Sequence, residues 1–223
     1  TLSRRIAGEV EEVEGIDRGQ LIQFYHERFH PSRLVISIAG SVAVGEVIAV
    51  IDSALRSSTG IWPDDESLIS KPRALPTHHS GMWQEHDDCH QTYLYGGRTL
   101  PVEHNERNYY ALTLFSTLVG ESMSSRLFQK LREDRGLCYS VGSFRIHLSD
   151  TWLWSVFANC VPEARVELTE ALLSELGELR DTPPSKEEVT DAASHLRGSL
   201  IFAREDMETR MRRMVYQRQT FGR

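Results

Sequence analysis

Among 223 residues there are only three cysteines, Cys89, Cys138 and Cys160. An odd, sparse set excludes a disulfide framework and fits a reducing compartment. No apolar run approaches the ~20 residues needed to cross a bilayer, so no membrane-spanning helix is expected. The opening fifteen residues lack the apolar stretch of a secretion signal. Positive charge is also in deficit: 25 Lys and Arg stand against 32 Asp and Glu, for a net charge of −7. A broad electrostatic grip on nucleic-acid phosphates is thereby excluded. Neither a G-x-S-x-G nucleophile elbow nor a G-x-x-x-x-G-K-[ST] phosphate loop occurs. What is present, 40% hydrophobic and 26% charged residues, suffices for a real core and excludes a disordered chain. Thr1 is not an initiator Met, which fits a piece of a longer polypeptide. The cytoplasm is the favoured compartment, and a periplasmic or organellar one stays open because a targeting segment could precede Thr1.

The chain opens with a helix–strand–helix unit over residues 1–56. Asp17 suits the N-cap of a helix to about His30, striped by Leu21, Ile22, Phe24, Tyr25 and Phe29. Pro31 stops it. Leu34 to Gly40 reads as a short buried strand, and Val47, Ile48, Val50, Ile51 and Leu55 recur at helical spacing. Residues 57–80, with Pro63, Pro72 and Pro76, read as a linker. Residues 81–223 form the second unit. Met82 to Gly96 should be a strand, and Asn105 should cap a helix ended by Gly120. Ser124 or Ser125 should cap a second helix with Leu127, Phe128 and Leu131 inward and Gly136 as its stop. Two strands follow, the second placing Trp152, Trp154, Val156 and Ala158 on one face. A helix spans about Glu163 to Leu179, and the S-x-x-E box Ser185–Glu188 opens a long helix toward Arg223. The class is α+β: a mainly antiparallel sheet with helices packed on one face.

His86, Cys89 and His90 would share a helix face and could hold zinc, but their flanks read as strand. There, residues four apart are separated by ~13 Å, and exposed polar residues at a strand's start are the favoured reading. His78-His79 and the pair His26 and His30 are weaker candidates of the same kind. Cys138, near Arg132 and Arg135, reads as a buried structural thiol rather than a reactive one. The segment Gly120 to Val141 has more to offer. Its glycine stop reverses the chain so that Arg132 and Tyr139 can converge, and a guanidinium and a phenol suit a peptide carbonyl or a developing oxyanion. A helix-terminal Arg and a packed Tyr is the competing reading.

Met123 to Gln129 (M-S-S-R-L-F-Q) and Leu131 to Val141 (L-R-x-x-x-G-L-x-Y-S-V) resemble the signature of the C-terminal homologous region of pitrilysin-type zinc peptidases, the group that contains mitochondrial processing peptidase. The resemblance extends to FYHERFHPSRLVISIAGSV, to Asn105–Gly120, to Gly198-Ser199-Leu200 and to Met211–Arg223, so it covers nearly the whole chain. It implies a half-clamshell fold closing with a homologous half around an extended peptide. In such peptidases the first half binds zinc through H-x-x-E-H and a later Glu. The second half supplies an Arg and a Tyr, seven positions apart, that stabilise the tetrahedral intermediate. Arg132 and Tyr139 match them, and Gly120, Ser124, Ser125 and Arg126 fall on the substrate-binding turn. No H-x-x-E-H occurs here, and the glycine-rich turn keeps a single Gly.

The resemblance therefore implies the metal-free half of a zinc endopeptidase, inactive alone, with zinc on the missing half or on a partner chain. The alternative is a non-catalytic scaffold subunit of the same fold. Residues 1–56 would be the tail of the preceding half. By repeat logic they could also fill a vacant place in the second sheet, within one molecule or by exchange in a homodimer.

Overall fold

The computed structural model describes residues 5–29, 34–58, 80–86, 88–100, 105–148 and 151–222. Contacts divide the chain into two units, Thr1–Lys71 and Pro72–Arg223. Most of the expected linker, and Pro31, lie outside the described residues.

The first unit holds α1 (Val10–Glu14), α2 (Arg18–Arg28) and α3 (Val44–Ser58). Asp17 caps α2 as its sequence requires: its carboxylate accepts from the Gln20 N–H at 2.8 Å, and the Gln20 side chain accepts from the Asp17 N–H at 2.9 Å. The expected strand at Leu34–Gly40 is not formed. Residues 34–39 have no regular structure, and Leu34, Val35, Ile36 and Ile38 are exposed. β-branched composition favours a strand only where a neighbouring strand takes up the backbone hydrogen bonds. The sheet described below contains no strand from this segment. Residues 17–56 thus contribute no strand to the described sheet.

The second unit is built on a three-stranded antiparallel sheet in the order β1–β3–β2, formed by β1 (Thr92–Leu100), β2 (Ser140–His147) and β3 (Trp152–Cys160). The register pairs Leu94 with Ala158, Val141 with Ala158, and Ser143 with Val156. Trp152, Trp154, Val156 and Ala158 thus share one face, as the period-2 pattern requires. Helices α4 (Glu106–Ser116), α5 (Arg165–Asp181), α6 (Lys186–Glu205) and α7 (Met207–Phe221) complete the unit. The core joins Val141, Val156 and Ala158 of the sheet to Leu168, Ala171 and Leu172 of α5 and to Leu118, Val119, Leu127 and Leu131. Leu127, Leu131 and Leu168 are fully buried, each stabilising the fold by about 1.5–3 kcal/mol relative to exposure. Val166 and Leu173 of α5 face solvent. Among the described residues no helix is long and apolar enough to cross a membrane.

Several boundaries differ from expectation. β1 starts at Thr92, not Met82, because its partner ends at Cys160 opposite Thr92 and Pro162 then begins a helical turn. Asn105 does cap α4, accepting from the Asn108 N–H at 2.9 Å. Gly120 does not end it: α4 runs on into a π-helical turn, Thr117–Glu121. The Ser185–Glu188 capping box forms, but the long terminal helix breaks at Asp206, whose carboxylate caps α7 at the Thr209 N–H. Tyr109 of α4 fastens α7 to the end of the sheet, with ring centroids 5.5 Å from Tyr216 and 4.8 Å from His147.

Candidate functional site

The corner singled out in the sequence begins where the first π turn meets β2. A β-carbon on Gly120 would collide with the Ser143 backbone nitrogen and lie 2.7 Å from the Gly142 carbonyl carbon. Glycine is required there for backbone contact, so Gly120 supports the corner from beneath. The contact is sealed by polar groups that the sequence reading missed. The Glu121 carboxylate accepts from the Arg145 guanidinium at 2.7 Å and from the Ser116 hydroxyl at 2.7 Å. Ser143 Oγ donates to the Ser116 carbonyl at 2.8 Å, and Trp154 Nε1 donates to Ser116 Oγ at 3.3 Å. These buried hydroxyls are satisfied, which is what low-dielectric burial demands.

Residues 122–125 make the turn, and Ser125 precedes the next helix, accepting at its carbonyl from the Gln129 N–H at 3.0 Å. Ser125 is buried, whereas Ser124 and Met123 are exposed. The helix begins at Arg126 and passes into a second π turn, Phe128–Glu133. Gly136 then stops it at φ 61°, a left-handed conformation natural to glycine. Arg126, expected to touch substrate, binds α6 and the chain before it. Its Nε and Nη2 grip the two carboxylate oxygens of Glu188 on α6, the latter at 2.9 Å, and its Nη1 donates to the Thr182 carbonyl at 3.2 Å.

That grip holds the Glu188 carboxyl at about 2, far below the usual carboxylate range, with the Ser185 N–H and hydroxyl assisting. In the unfolded chain it would titrate near ~4.3. The stabilisation is therefore complete above about pH 5 and fades as the pH falls toward 2. Because a third of the Glu188 side chain meets water, about 1–2 kcal/mol is at stake after screening. Glu188→Gln is expected to lower the urea midpoint at pH 7 and to lower it about half as much at pH 3.

Arg132 and Tyr139 do converge. The Arg132 guanidinium carbon lies 4.8 Å from the Phe128 ring centroid and 5.9 Å from that of Tyr139, within cation–π range. Leu127 and Leu131 are buried on the opposite stripe, and the Tyr139 N–H is tied to the Asn159 carbonyl at 3.0 Å. Arg132 is 41% exposed at its side chain and Tyr139 74% exposed. A permanent cation and a hydrogen-bond donor are thus presented together on an open surface. Behind them Cys138 is buried, and burial pushes its thiol up more strongly than Arg132 draws it down. It is the structural thiol expected from the sequence.

Among the described residues the alternative metal candidates are not assembled. Among the described residues no three His, Cys, Asp or Glu side chains gather to hold a metal ion. His86 and His90 lie before β1 in non-helical chain, so the helical zinc spacing is not realised. His30 and His78-His79 lie outside the described residues.

Residues 15–196 match the family described as the peptidase M16 inactive domain. An uncharacterized zinc protease of Mycobacterium leprae is 28% identical over 99% of this chain and 49% of its own length. One of Streptomyces coelicolor is 29% identical over 96% of this chain and 47% of its own length. The chain thus spans about half the length of the curated relatives it matches. Among solved structures, a putative M16-like peptidase from Alicyclobacillus acidocaldarius superposes with a TM-score of 0.73 at 21% identity, covering 98% of this chain and 52% of that one. A protease from Helicobacter pylori gives 0.73 at 19% identity, over 91% and 49%. These two likenesses establish the fold.

Proposed function

Since this chain belongs to the peptidase M16 family and corresponds to its inactive domain, we propose that it is the metal-free half of a zinc endopeptidase, receiving extended peptide and stabilising the tetrahedral intermediate with Arg132 and Tyr139. The observation that carries this reading is the exposed pairing of those two side chains, 5.9 Å from guanidinium carbon to ring centroid, at the tight bend after Gly136. A zinc ion on the other half, or on a partner chain, would supply Lewis acidity and an activated water. The residues of this chain do the complementary work. Arg132 offers fixed positive charge to a developing oxyanion, and the Tyr139 phenol offers a hydrogen bond. The exposure of Ser124 on the preceding turn supports a contact with the peptide backbone.

The exposed apolar residues of the first unit support its assignment to the preceding half. Leu21, Phe24, Phe29, Leu34, Ile48 and Val50 are all exposed, a density that a self-contained domain does not leave in water. The scaffold-subunit alternative predicts no catalysis in any assembly. This chain alone, purified free of protease, should hold no stoichiometric zinc and cleave no peptide. The complete polypeptide, or this chain with a zinc-bearing partner, should cleave unfolded peptides in a chelator-sensitive way. Chelator-sensitive cleavage by this chain alone would overturn the reading, and inactivity of every assembly would favour the scaffold.

A further inference from the structure

One face of the sheet carries Val141, Val156 and Ala158 into the core beneath the helices. The other face is composed differently. The register sets Tyr93 opposite Asn159, Tyr95 opposite Phe157 and Ile146 opposite Leu153, with Phe144 two residues before Ile146. These positions alternate with the core residues, so their side chains share the face turned away from the core. Tyr93 and Tyr95 are 58% and 71% exposed, Ile146 is exposed, and Phe144, Leu153 and Phe157 are half-buried. The remaining positions of that face are Ser, Thr, Asn or Gly. A sheet face that meets water normally turns polar residues outward. At none of these positions does Asp, Glu, Lys or Arg stand, although those four types make up 26% of the chain. The aromatic rings form a continuous shelf: the Phe157 centroid lies 6.5 Å from that of Tyr95 and 6.3 Å from that of Phe144. Gly142 lets the Phe157 ring lie flat, since a β-carbon there would come within 2.8 Å of it.

This shelf runs up to the Arg132–Tyr139 pair. The Tyr139 N–H donates to the Asn159 carbonyl at 3.0 Å, and the Ser140 N–H donates to the Asn159 side-chain oxygen at 2.8 Å. Two residues thus oppose one, which is a bulge and breaks the alternation of side chains. Strict alternation from Val141 and Ser143 would bury Tyr139, yet Cys138 is buried and Tyr139 is exposed. The bulge therefore sets Tyr139 at the end of the charge-free face, beside Asn159.

We propose that this face is a specificity subsite, receiving an aromatic or aliphatic side chain of the extended peptide two to four residues from the bond that is cleaved. The proposal rests on the function given above to Arg132 and Tyr139. Strands lie about 4.8 Å apart and rise about 3.3 Å per residue, so Phe157 and Tyr95 stand about 8–12 Å from the Tyr139 backbone, and an extended peptide covers that span in about two to four residues. The peptide is the occupant because the shelf is continuous with the pair that meets its scissile carbonyl. An acidic or basic side chain would lose water there and find no opposite charge, so the shelf selects against it.

The test gives the complete polypeptide two peptides of Ala, Ser and Gly, one carrying a single Phe and the other a Glu in its place. The Phe peptide should have a kcat/KM about 10- to 100-fold higher, the scale of one apolar side chain in a pocket, with the cut about two to four residues from the Phe. Tyr95→Lys should remove most of that advantage and leave cleavage of an all-Ala peptide within about twofold, the mark of an intact catalytic centre. Phe202→Lys, at a similarly exposed position on α6, should leave the preference in place. Equal rates for the two peptides, or an unaltered preference in Tyr95→Lys, overturns the proposal. A second readout needs no cleavage. In Tyr95→Cys the introduced thiol should react readily with a maleimide, followed by mass spectrometry of the fragment that spans β1. A cleavage-resistant Phe peptide should slow that reaction about tenfold or more, and its Glu counterpart should not. A thiol that is unreactive without peptide shows another part of the polypeptide seated on the face, and protection that grows with protein concentration shows a second copy there. Either result overturns the proposal. Should no assembly cleave any peptide, the function proposed above fails, and protection by the Phe peptide still decides whether the face receives such a side chain.

Discussion

Arg132→Ala or Tyr139→Phe in the complete polypeptide is expected to lower kcat by about 100-fold, the loss typical of one oxyanion donor. That corresponds to about 2.7 kcal/mol of transition-state stabilisation. The loss should fall mainly on kcat, because the charge that these groups meet is absent from the ground-state carbonyl. Arg132→Lys should recover little. A lysine keeps the charge but lacks the planar fork, and it stacks less well on Phe128 and Tyr139. Folding should be nearly unaffected, since both side chains are exposed and surface changes of this kind cost within about 0.5 kcal/mol. Unchanged kcat in both variants, measured under saturating peptide, would remove the pair from the mechanism.

Gly120→Ala should produce the second large effect, on stability rather than chemistry. The added methyl meets the Ser143 nitrogen and the Gly142 carbonyl carbon, and backbone cannot swing aside as a flexible side chain can. Overpacking of this sort costs about 1–3 kcal/mol, and the upper end is expected because the Ser116–Ser143–Glu121–Arg145 network spans the same contact. Gly177→Ala is the control. It lies in α5, where an added β-carbon would meet nothing within 4 Å, so it should be neutral or stabilising by about 0.5–1 kcal/mol. Urea midpoints for the two variants give the comparison directly, and equal midpoints would contradict the close approach.

The parts legible in the sequence are those whose causes lie a few residues apart. Asp17, Asn105 and Ser185 are recognisable as helix starts because a cap and its N–H partner are three residues apart. The face shared by Trp152, Trp154, Val156 and Ala158 follows from strand periodicity alone. Gly136 as a stop, and the meeting of Arg132 with Tyr139, follow from one short reversal. What the sequence conceals is non-local. Glu188 is visible as a capping residue, but its grip on Arg126, 62 residues away, leaves no local trace. Gly120 reads as a helix stop because its real constraint, the β2 backbone, lies more than twenty residues on. Leu34 to Ile38 shows the reverse failure: its composition suits a strand, yet no described strand pairs with it.

The central claim is that Arg132 and Tyr139 bind the tetrahedral state more tightly than the peptide itself. A phosphinic peptide, whose tetrahedral anion imitates that state, tests this by titration into the complete polypeptide. Arg132→Ala and Tyr139→Phe should each weaken its binding about 100-fold, in parallel with kcat, while a cleavage-resistant amide peptide binds nearly as before. Equal affinity of the phosphinic peptide for parent and variants would contradict the account.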